Sequence, residues 1–518
     1  MLHKHTARVA ALLVLAASAC SGNISFKDGD AGSNGTIDSG NGGDDSGTPR
    51  ADAGTVPPGV GDGPAVTRGG DFLGTAERFN RYYTDASWLP SKTVFVSPAG
   101  GGNGSTAQSP TTLAAAVGML APGTMVRLQQ GTYDACVALD ETQGGTYDAP
   151  VVFVGERNGA NLGVRMNCCG TGRQACFNLE ATNYVAIDSI EVVGGRYGVR
   201  SVGAGFAADA HQVGTAILRS IGRDQSADPF FSGQSDWFVI EGIVASNAGT
   251  ADGHGIYLSN GSDWLIVRDN ELFGNRSADF QINADPFFSC QDDGVPNDSA
   301  ECDAVAGTSA TGGRGASDFA LVERNFFHDG LAQGANFTSV RNSLVRNNVF
   351  AFYARHNVSF WQESANPKLG SRDNRILHNL FVTTNGQHAV QFVANSTANT
   401  FSQNVVLGVT LSGGTVAANA SALLMEADAT VTGNVYTRNI YVGGQFDGHT
   451  VGPDELRETT LDPAWFAGFP TTITHVCTGF APAAAAPWAK AGQLLGDAPA
   501  DMLGKARSTP TALGPLGP

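Results

Sequence analysis

One strand pattern recurs along the chain, as in HGIYLSN (residues 254–260), HNVSFWQ (356–362) and HAVQFVA (388–394). Apolar and polar residues alternate in each segment, and a period of two places successive side chains on opposite faces of a strand. Each segment therefore predicts a strand with one buried and one exposed face. A chain that repeats such a unit buries its apolar faces by stacking the copies, which favours a solenoid.

A second series supports the same architecture. It comprises SDWFVIEG (235–242), SDWLIVRDN (262–270) and SDFALVERN (317–325), and continues loosely in RNSLVRNN, RDNRILHN and ANTFSQN. Five asparagines end its segments: Asn270, Asn325, Asn348, Asn379 and Asn404. Asn325 and Asn348 are 23 residues apart, and Asn379 and Asn404 are 25 apart, which suits one coil of about three short strands. We interpret these asparagines as an internal ladder that satisfies backbone groups.

Aligning the alternating segments divides their side chains between two faces. The predicted inward residues are Val199, Ile256, Phe280, Val358 and Val390. The predicted outer ladder is Arg200, Tyr257, Gln281, Asn336, Ser359 and Gln391, with Ser259, Asn283, Thr338 and Trp361 beside it. In this alignment His254, His356 and His388 share one corner of the repeated coil, so their recurrence has a structural explanation.

The repeats resemble the right-handed parallel β-helix superfamily, the pectate-lyase-like fold. Residues 93–133 are similar to the strand, helix and strand that cap such proteins, with TTLAAAVGML as the capping helix and a threonine near its start. The resemblance implies an all-β protein: a single right-handed parallel β-helix solenoid over residues 91–480, with a short N-terminal capping helix. Residues 481–518 are an Ala/Pro-rich tail or a closing coil. This fold hosts lyases, hydrolases, epimerases and non-catalytic adhesins, so it does not fix the chemistry.

The N-terminus predicts export. Lys4 and Arg8 precede an apolar stretch and the sequence Ala-Ser-Ala-Cys20, which resembles a bacterial lipobox with Cys20 as the lipidated residue. A plain signal peptide with an incidental cysteine is the alternative. Residues 21–90 are rich in Gly, Asp and Ser and predict a flexible acidic tether. We expect an extracytoplasmic lipoprotein held at the outer membrane or cell surface through Cys20.

Charge and cysteine content narrow the expected partners. The chain has 48 acidic and 31 basic residues, a formal charge of −17, which disfavours nucleic acid and repels anionic polysaccharide unless a cation or an arginine cluster intervenes. We expect a monomer. In an oxidising compartment we expect a disulfide between Cys290 and Cys302, and another from Cys136 and the cysteines at 168–176.

The outer ladder is the candidate binding surface. Amide, hydroxyl and aromatic side chains suit the hydroxyl groups and apolar ring faces of a sugar. The candidate substrate-binding residues are Arg200, Gln281, Asn283, Asn336, His356, Trp361 and Gln391. An ordinary solvent-exposed face is the alternative.

Two pairs are candidate catalytic groups. His254 is a candidate acid or base, and Tyr257 follows it at about 10 Å if the strand is extended. Asp285 and Glu363 end equivalent strands two coils apart, again at about 10 Å, just beyond the separation expected of an inverting glycosidase.

The segment 284–317 interrupts the coils beside this ladder. Asp292, Asp293 and Asp298 offer oxygen ligands for calcium, and a disulfide-closed rim or lid is the alternative interpretation. Together these features predict a polysaccharide lyase or a glycoside hydrolase. A non-catalytic glycan-binding or adhesive surface protein is the competing hypothesis.

Overall fold

A computed structural model describes residues 89–517, except for 169–174, 207–209, 250–252, 293, 297, 305–313, 364–365, 385–387, 413–414, 419–421, 427 and 470–476. The signal segment, Cys20 and nearly all of the acidic tether lie outside the described residues. Within the described part of the chain, no helix is long and apolar enough to span a membrane.

Three long sheets, here named A, B and C, form the body of the protein, and each coil contributes a strand to each sheet. Sheet A contains Lys92–Val96, Thr124–Leu128, Val151–Gly155, Val185–Asp188, Ala216–Leu218, Val239–Glu241, Ile266–Arg268, Leu321–Glu323, Leu344–Arg346, Arg375–Leu377, Thr400–Ser402 and Val435–Thr437. Sheet B contains Gly131–Tyr133, Val164–Asn167, Glu191–Val193, Ile221–Arg223, Val244–Ser246, Glu271–Phe273, Phe326–His328, Val349–Ala351, Leu380–Thr383, Val405–Ser412, Ile440–Val442 and Leu456–Glu458, and Thr415–Ala418 pairs antiparallel with its longest strand. Sheet C contains Val137–Leu139, Ala175–Glu180, Tyr197–Val202, Phe230–Gly233, Ile256–Ser259, Phe280–Asn283, Ala335–Thr338, Val358–Trp361, Val390–Phe392, Ala422–Met425 and Gln445–Asp447.

Short elements occupy the corners and the loops. Small two-stranded pairs join Gln212–Val213 to Ser235–Asp236, Ser317–Asp318 to Val340–Arg341, and Arg157–Asn158 to Asn161–Leu162. Helical segments are the α-helices Leu113–Val117 and Ala300–Asp303, the π-helix Phe287–Asp292, and the 3₁₀ turns Pro367–Leu369, Pro463–Trp465 and Cys477–Phe480. The predicted N-terminal capping helix is confirmed at Leu113–Val117, where the Thr112 hydroxyl accepts a hydrogen bond from the Ala115 N–H at 3.1 Å.

The core follows the predicted period of two. Val199, Phe230, Ile256, Phe280, Ala335, Val358 and Val390 pair in register through successive coils and are all buried. Two positions further along, Phe337, Phe360 and Phe392 stack at ring separations of 4.7 and 5.1 Å. The predicted inward residues are therefore confirmed, because a coil can close only when its apolar positions face one shared interior.

The asparagine ladder is confirmed as an internal structure. Each side-chain amide donates to the carboxamide oxygen of the next coil: Asn270 to Asn325, Asn325 to Asn348, Asn348 to Asn379, Asn379 to Asn404, and Asn404 to Asn439. The ladder ends when Asn439 donates to a Glu455 carboxylate oxygen at 2.8 Å. A carboxylate suits this terminal position because it accepts hydrogen bonds without needing an acceptor of its own.

Chain segments that follow the coils cover part of sheet B. Phe466, Phe469, Trp488 and Leu516 pack against the apolar outer residues of sheet B from Phe326 onward, so this part of the face is protein-covered. Disulfides provide a second kind of constraint. The predicted disulfide between Cys290 and Cys302 is present, Cys168 pairs with Cys176, and Cys136 is also disulfide-bonded.

Candidate functional site

The outward side of sheet C carries the polar ladder expected from the sequence. Strand register aligns its central row, one residue per coil: Arg200, Phe231, Tyr257, Gln281, Asn336, Ser359 and Gln391. Ser259, Asn283, Thr338 and Trp361 form a neighbouring row two residues further along. Phe231 is a member that the sequence alignment missed, because residues 203–234 could not be placed in register.

The recurring histidines share one corner. His254, His356 and His388 each precede their buried partners Ile256, Val358 and Val390 by two residues, and those partners lie in one register. His356 and His388 stack at 5.9 Å between ring centres. Burial, the neighbouring His388 and Arg355 together lower the pKa of His356 to about 4, so this imidazole is neutral at physiological pH.

Tyr257 stands at the centre of the polar face with carboxylates close by. Burial raises the pKa of its phenol, and Asp285 and Glu363 raise that pKa further, while hydrogen bonds with Ser259 and Gln281 oppose the shift. The phenol therefore stays protonated at neutral pH. It is placed to donate a hydrogen bond near two acidic groups.

Asn283 contacts both candidate residues, the carboxylate of Glu363 and the backbone of Asp285. Its amide nitrogen donates to Oε1 of Glu363 at 3.1 Å, and its carbonyl oxygen accepts the backbone N–H of Asp285 at 2.9 Å. Asp285 adopts a left-handed backbone conformation, with φ of +45°, where the strand turns into the inserted loop. The Glu363 side chain thus reaches back across an intervening coil to the site formed by Asn283.

The carboxyl group of Glu363 has a shifted pKa. Although Glu363 sits at the exposed edge of the site, the protein around its carboxyl group raises its pKa above the ordinary value, and the hydrogen bond from Asn283 opposes this shift. A raised pKa favours the neutral acid, the form that can donate a proton.

His254 is held by Asp228, a residue that the sequence alignment did not identify. Oδ1 of Asp228 lies 2.8 Å from the His254 backbone nitrogen and 3.2 Å from Nδ1 of its ring. The expected 10 Å separation of His254 and Tyr257 is wrong, since their ring centres lie 4.7 Å apart. The strand begins only at Ile256, so His254 lies outside it and its ring contacts that of Tyr257.

Several ladder residues also bond to one another along the face. Asn336 donates to Gln281 at 3.1 Å, and Gln391 donates to Ser359 at 2.7 Å. Arg200, further toward the N-terminal coils, pairs with Glu180 and Asn178 and is buried. Trp361 lies two residues before Glu363 in the neighbouring row and is half-buried.

The inserted loop begins directly after the sheet C strand Phe280–Asn283, and its expected calcium ligands are only partly described. Asp293 lies outside the described residues, as does the side chain of Asp292, while Asp298 is exposed. Asp303, in the same loop, pairs with Lys368 at 3.0 Å. Among the described residues, no group of three or more His, Cys, Asp or Glu side chains is placed to hold a metal ion.

Comparisons with known proteins agree on the fold. No protein-family model matches the chain, and no curated protein matches it either. A GH136 lacto-N-biosidase from Eubacterium ramulus superposes with a TM-score of 0.50 at 11% identity, covering 74% of this chain and 70% of that chain. Pectate lyase Pel9A gives 0.42 at 10% identity, covering 83% and 97%. The A-module of the Azotobacter vinelandii mannuronan C-5 epimerase AlgE6 gives 0.42 at 14% identity, covering 67% and 92%. The coil register and the similarity to the GH136 structure together show that the chain is a right-handed parallel β-helix.

Proposed function

We propose that this protein is a glycoside hydrolase that cleaves a glycan bound along the outward face of sheet C. The observation that carries the proposal is the placement of two carboxylates, Asp285 and Glu363, around one protonated phenol, Tyr257. Glycoside hydrolysis typically requires one carboxylic acid to protonate the leaving oxygen and a second carboxylate to act as base or nucleophile.

The two carboxylates take different roles in this proposal. Glu363 has a raised pKa and is the proposed general acid. Asp285 is the proposed base, with the Tyr257 hydroxyl as a hydrogen-bond donor near the reacting sugar. The two residues follow strands that are two coils apart, a backbone spacing of about 10 Å. We therefore expect the inverting geometry, which leaves room for a water molecule.

The electrostatics of the site weigh against a lyase. Eliminating a uronate requires a cation near its carboxylate and a base for the adjacent proton. Here the phenol of Tyr257 is held in its protonated form, and Lys368 and Arg200 already pair with acidic residues. Acidic side chains would repel a uronate, so a neutral glycan is the proposed substrate class.

The ladder supplies the proposed binding contacts. Gln281, Asn336 and Gln391 present amides to sugar hydroxyl groups, and Trp361 offers an aromatic surface beside the acid. His254, positioned by Asp228, contacts Tyr257 and is proposed to orient the phenol or the bound sugar. The solved structures above have names that include a lyase, an epimerase and a hydrolase, so the choice among these reactions rests on the site.

The test uses the full-length protein with Glu363→Gln and Asp285→Asn, and with Asp454→Asn as a control on an exposed surface turn. New reducing ends and the absorbance of an unsaturated uronyl product are followed on neutral and acidic polysaccharides. Hydrolysis of a neutral glycan that falls about 10²- to 10⁴-fold in the first two variants, but not in the control, supports the proposal. An unsaturated product would establish a lyase instead.

A binding-only protein gives a different result. The competing hypothesis is an adhesive surface protein, for which the ladder is a docking strip. It predicts no turnover on any glycan, retained binding to one of them, and small affinity losses spread over many ladder substitutions.

A further inference from the structure

Three aromatic rings lie side by side on the same face as the candidate catalytic groups, toward the N-terminal coils. Tyr197 and Phe231 have ring centres 5.3 Å apart with their planes inclined by 40°, and Phe231 and Tyr257 are 5.5 Å apart and meet edge to face at 83°. Each ring comes from a successive coil, and the three are here named the aromatic strip. Tyr257 belongs both to the strip and to the neighbourhood of Asp285 and Glu363, whose charges raise its pKa.

These rings do not belong to the core. Phe231 and Tyr257 occupy the outward row of sheet C, while the alternate residues Phe230 and Ile256 fill the interior. All three rings of the strip are half-buried, so part of each remains accessible to solvent. Since the core would be filled without them, their aromatic character calls for a separate explanation.

The strip has a defined end on each side. At its N-terminal end the Arg196 guanidinium lies 5.2 Å from the centre of the Tyr197 ring. At the other end, the aromatic residues of the outward row give way to polar ones. These are the amides Gln281, Asn336 and Gln391 and the hydroxyl of Ser359. The two carboxylates lie near this change, so the face has an aromatic half and an amide half on either side of the proposed reaction centre.

We propose that the aromatic strip binds consecutive sugar rings of a glycan chain through their apolar faces, so that cleavage occurs within a chain. The strip spans two coil spacings, about 10 Å, and the whole row from Arg200 to Gln391 spans six, about 29 Å. A face of this length accommodates several sugar units on both sides of the cleaved bond. This inference rests on the proposed function, because it places the strip relative to Asp285 and Glu363.

Phe231 is the residue to change, since it is the middle ring and carries no polar group. Phe231→Leu keeps an apolar side chain but removes the flat ring face, and Phe231→Tyr is the matched control that keeps the ring. The substrates are neutral polysaccharides (xylan, mannan, galactan and β-glucan) and oligosaccharides of increasing length prepared from the one that is cleaved.

For the wild-type protein, kcat/KM rises with chain length until the substrate covers the strip. Phe231→Leu is expected to lower kcat/KM on long chains about five- to tenfold, mainly through KM, and to lower it less on short chains. Phe231→Tyr keeps the wild-type dependence. An equal loss at every chain length, or no loss on long chains, overturns the inference.

Binding is measured separately from turnover. Retardation of Glu363→Gln and of Glu363→Gln/Phe231→Leu is compared in native gels that contain each polysaccharide. Weaker retardation of the double variant supports the strip even if the protein proves non-catalytic, in which case only the proposed function fails. Equal retardation of the two variants, or none in any gel, counts against the strip itself.

Discussion

Asp279 provides a quantitative test of the packing beneath the site, because a carboxyl group is fully buried there. Its side-chain oxygens accept hydrogen bonds from the Tyr353 hydroxyl at 2.5 Å and from the Asn275 amide at 2.6 Å. Burial raises its pKa from 3.8 to about 7, although these hydrogen bonds and the nearby His328 oppose the shift. The folded protein therefore holds the Asp279 proton more tightly than the unfolded chain does.

The sign and size of the effect follow from this difference. Stability from Asp279 is fully present below pH 3.8 and is lost as pH rises toward 7, because the unfolded chain releases the proton first. A difference of about 3 pH units at about 1.4 kcal/mol each gives about 4 kcal/mol in total. Asp279→Asn removes the titrating group and keeps a carboxamide that can bond with Asn275 and Tyr353.

The assay is urea unfolding of the wild type and Asp279→Asn between pH 4.5 and 7.5. The free energy of unfolding of the variant, relative to the wild type, should rise by about 3 kcal/mol across this range. Tyr353→Phe removes a hydrogen bond to the carboxylate and should extend the change to higher pH. A difference between wild type and Asp279→Asn that is constant with pH would refute the reasoning.

Other groups give further expectations. Burial lowers the pKa of His328, but Asp329 and Glu271 outweigh it and raise that pKa to about 9. The stability that His328 contributes is therefore lost as pH rises from about 7 through 9. In urea titrations, His328→Gln should reduce this decrease in the free energy of unfolding. Asn348→Ala should lower the free energy of unfolding by about 3 to 5 kcal/mol, because it removes the hydrogen-bond acceptor of the buried Asn325 amide. The variant should show a lower Tm and an unchanged circular dichroism spectrum. Cys20→Ser should release the protein from the membrane fraction, and continued sedimentation with membranes would contradict the lipid anchor. If the 284–317 loop holds calcium, calcium should raise the Tm in a saturable way that EDTA reverses, whereas a disulfide-closed rim predicts no change.

The sequence alone determined the repeated coil and the face of each strand. Alternation with a period of two assigned Ile256 inward and Tyr257 outward, and the coil spacing predicted that Asn325 and Asn348 would meet. These features are readable because they depend on local geometry repeated in every coil. The pairing of Cys290 with Cys302 was readable for a similar reason, since a short loop closes on itself.

Only the tertiary structure decided how the site is assembled. The return of Glu363 to Asn283, the position of Asp228 beside His254, and the place of Phe231 between Tyr197 and Tyr257 all depend on contacts between coils. Residues 203–234 lack a regular pattern, so the register of Phe231 and Asp228 could not be counted along the chain. Strand periodicity fixes which face a side chain occupies, whereas long side chains and turns decide which neighbours it meets, and these depend on packing between segments that are distant in sequence.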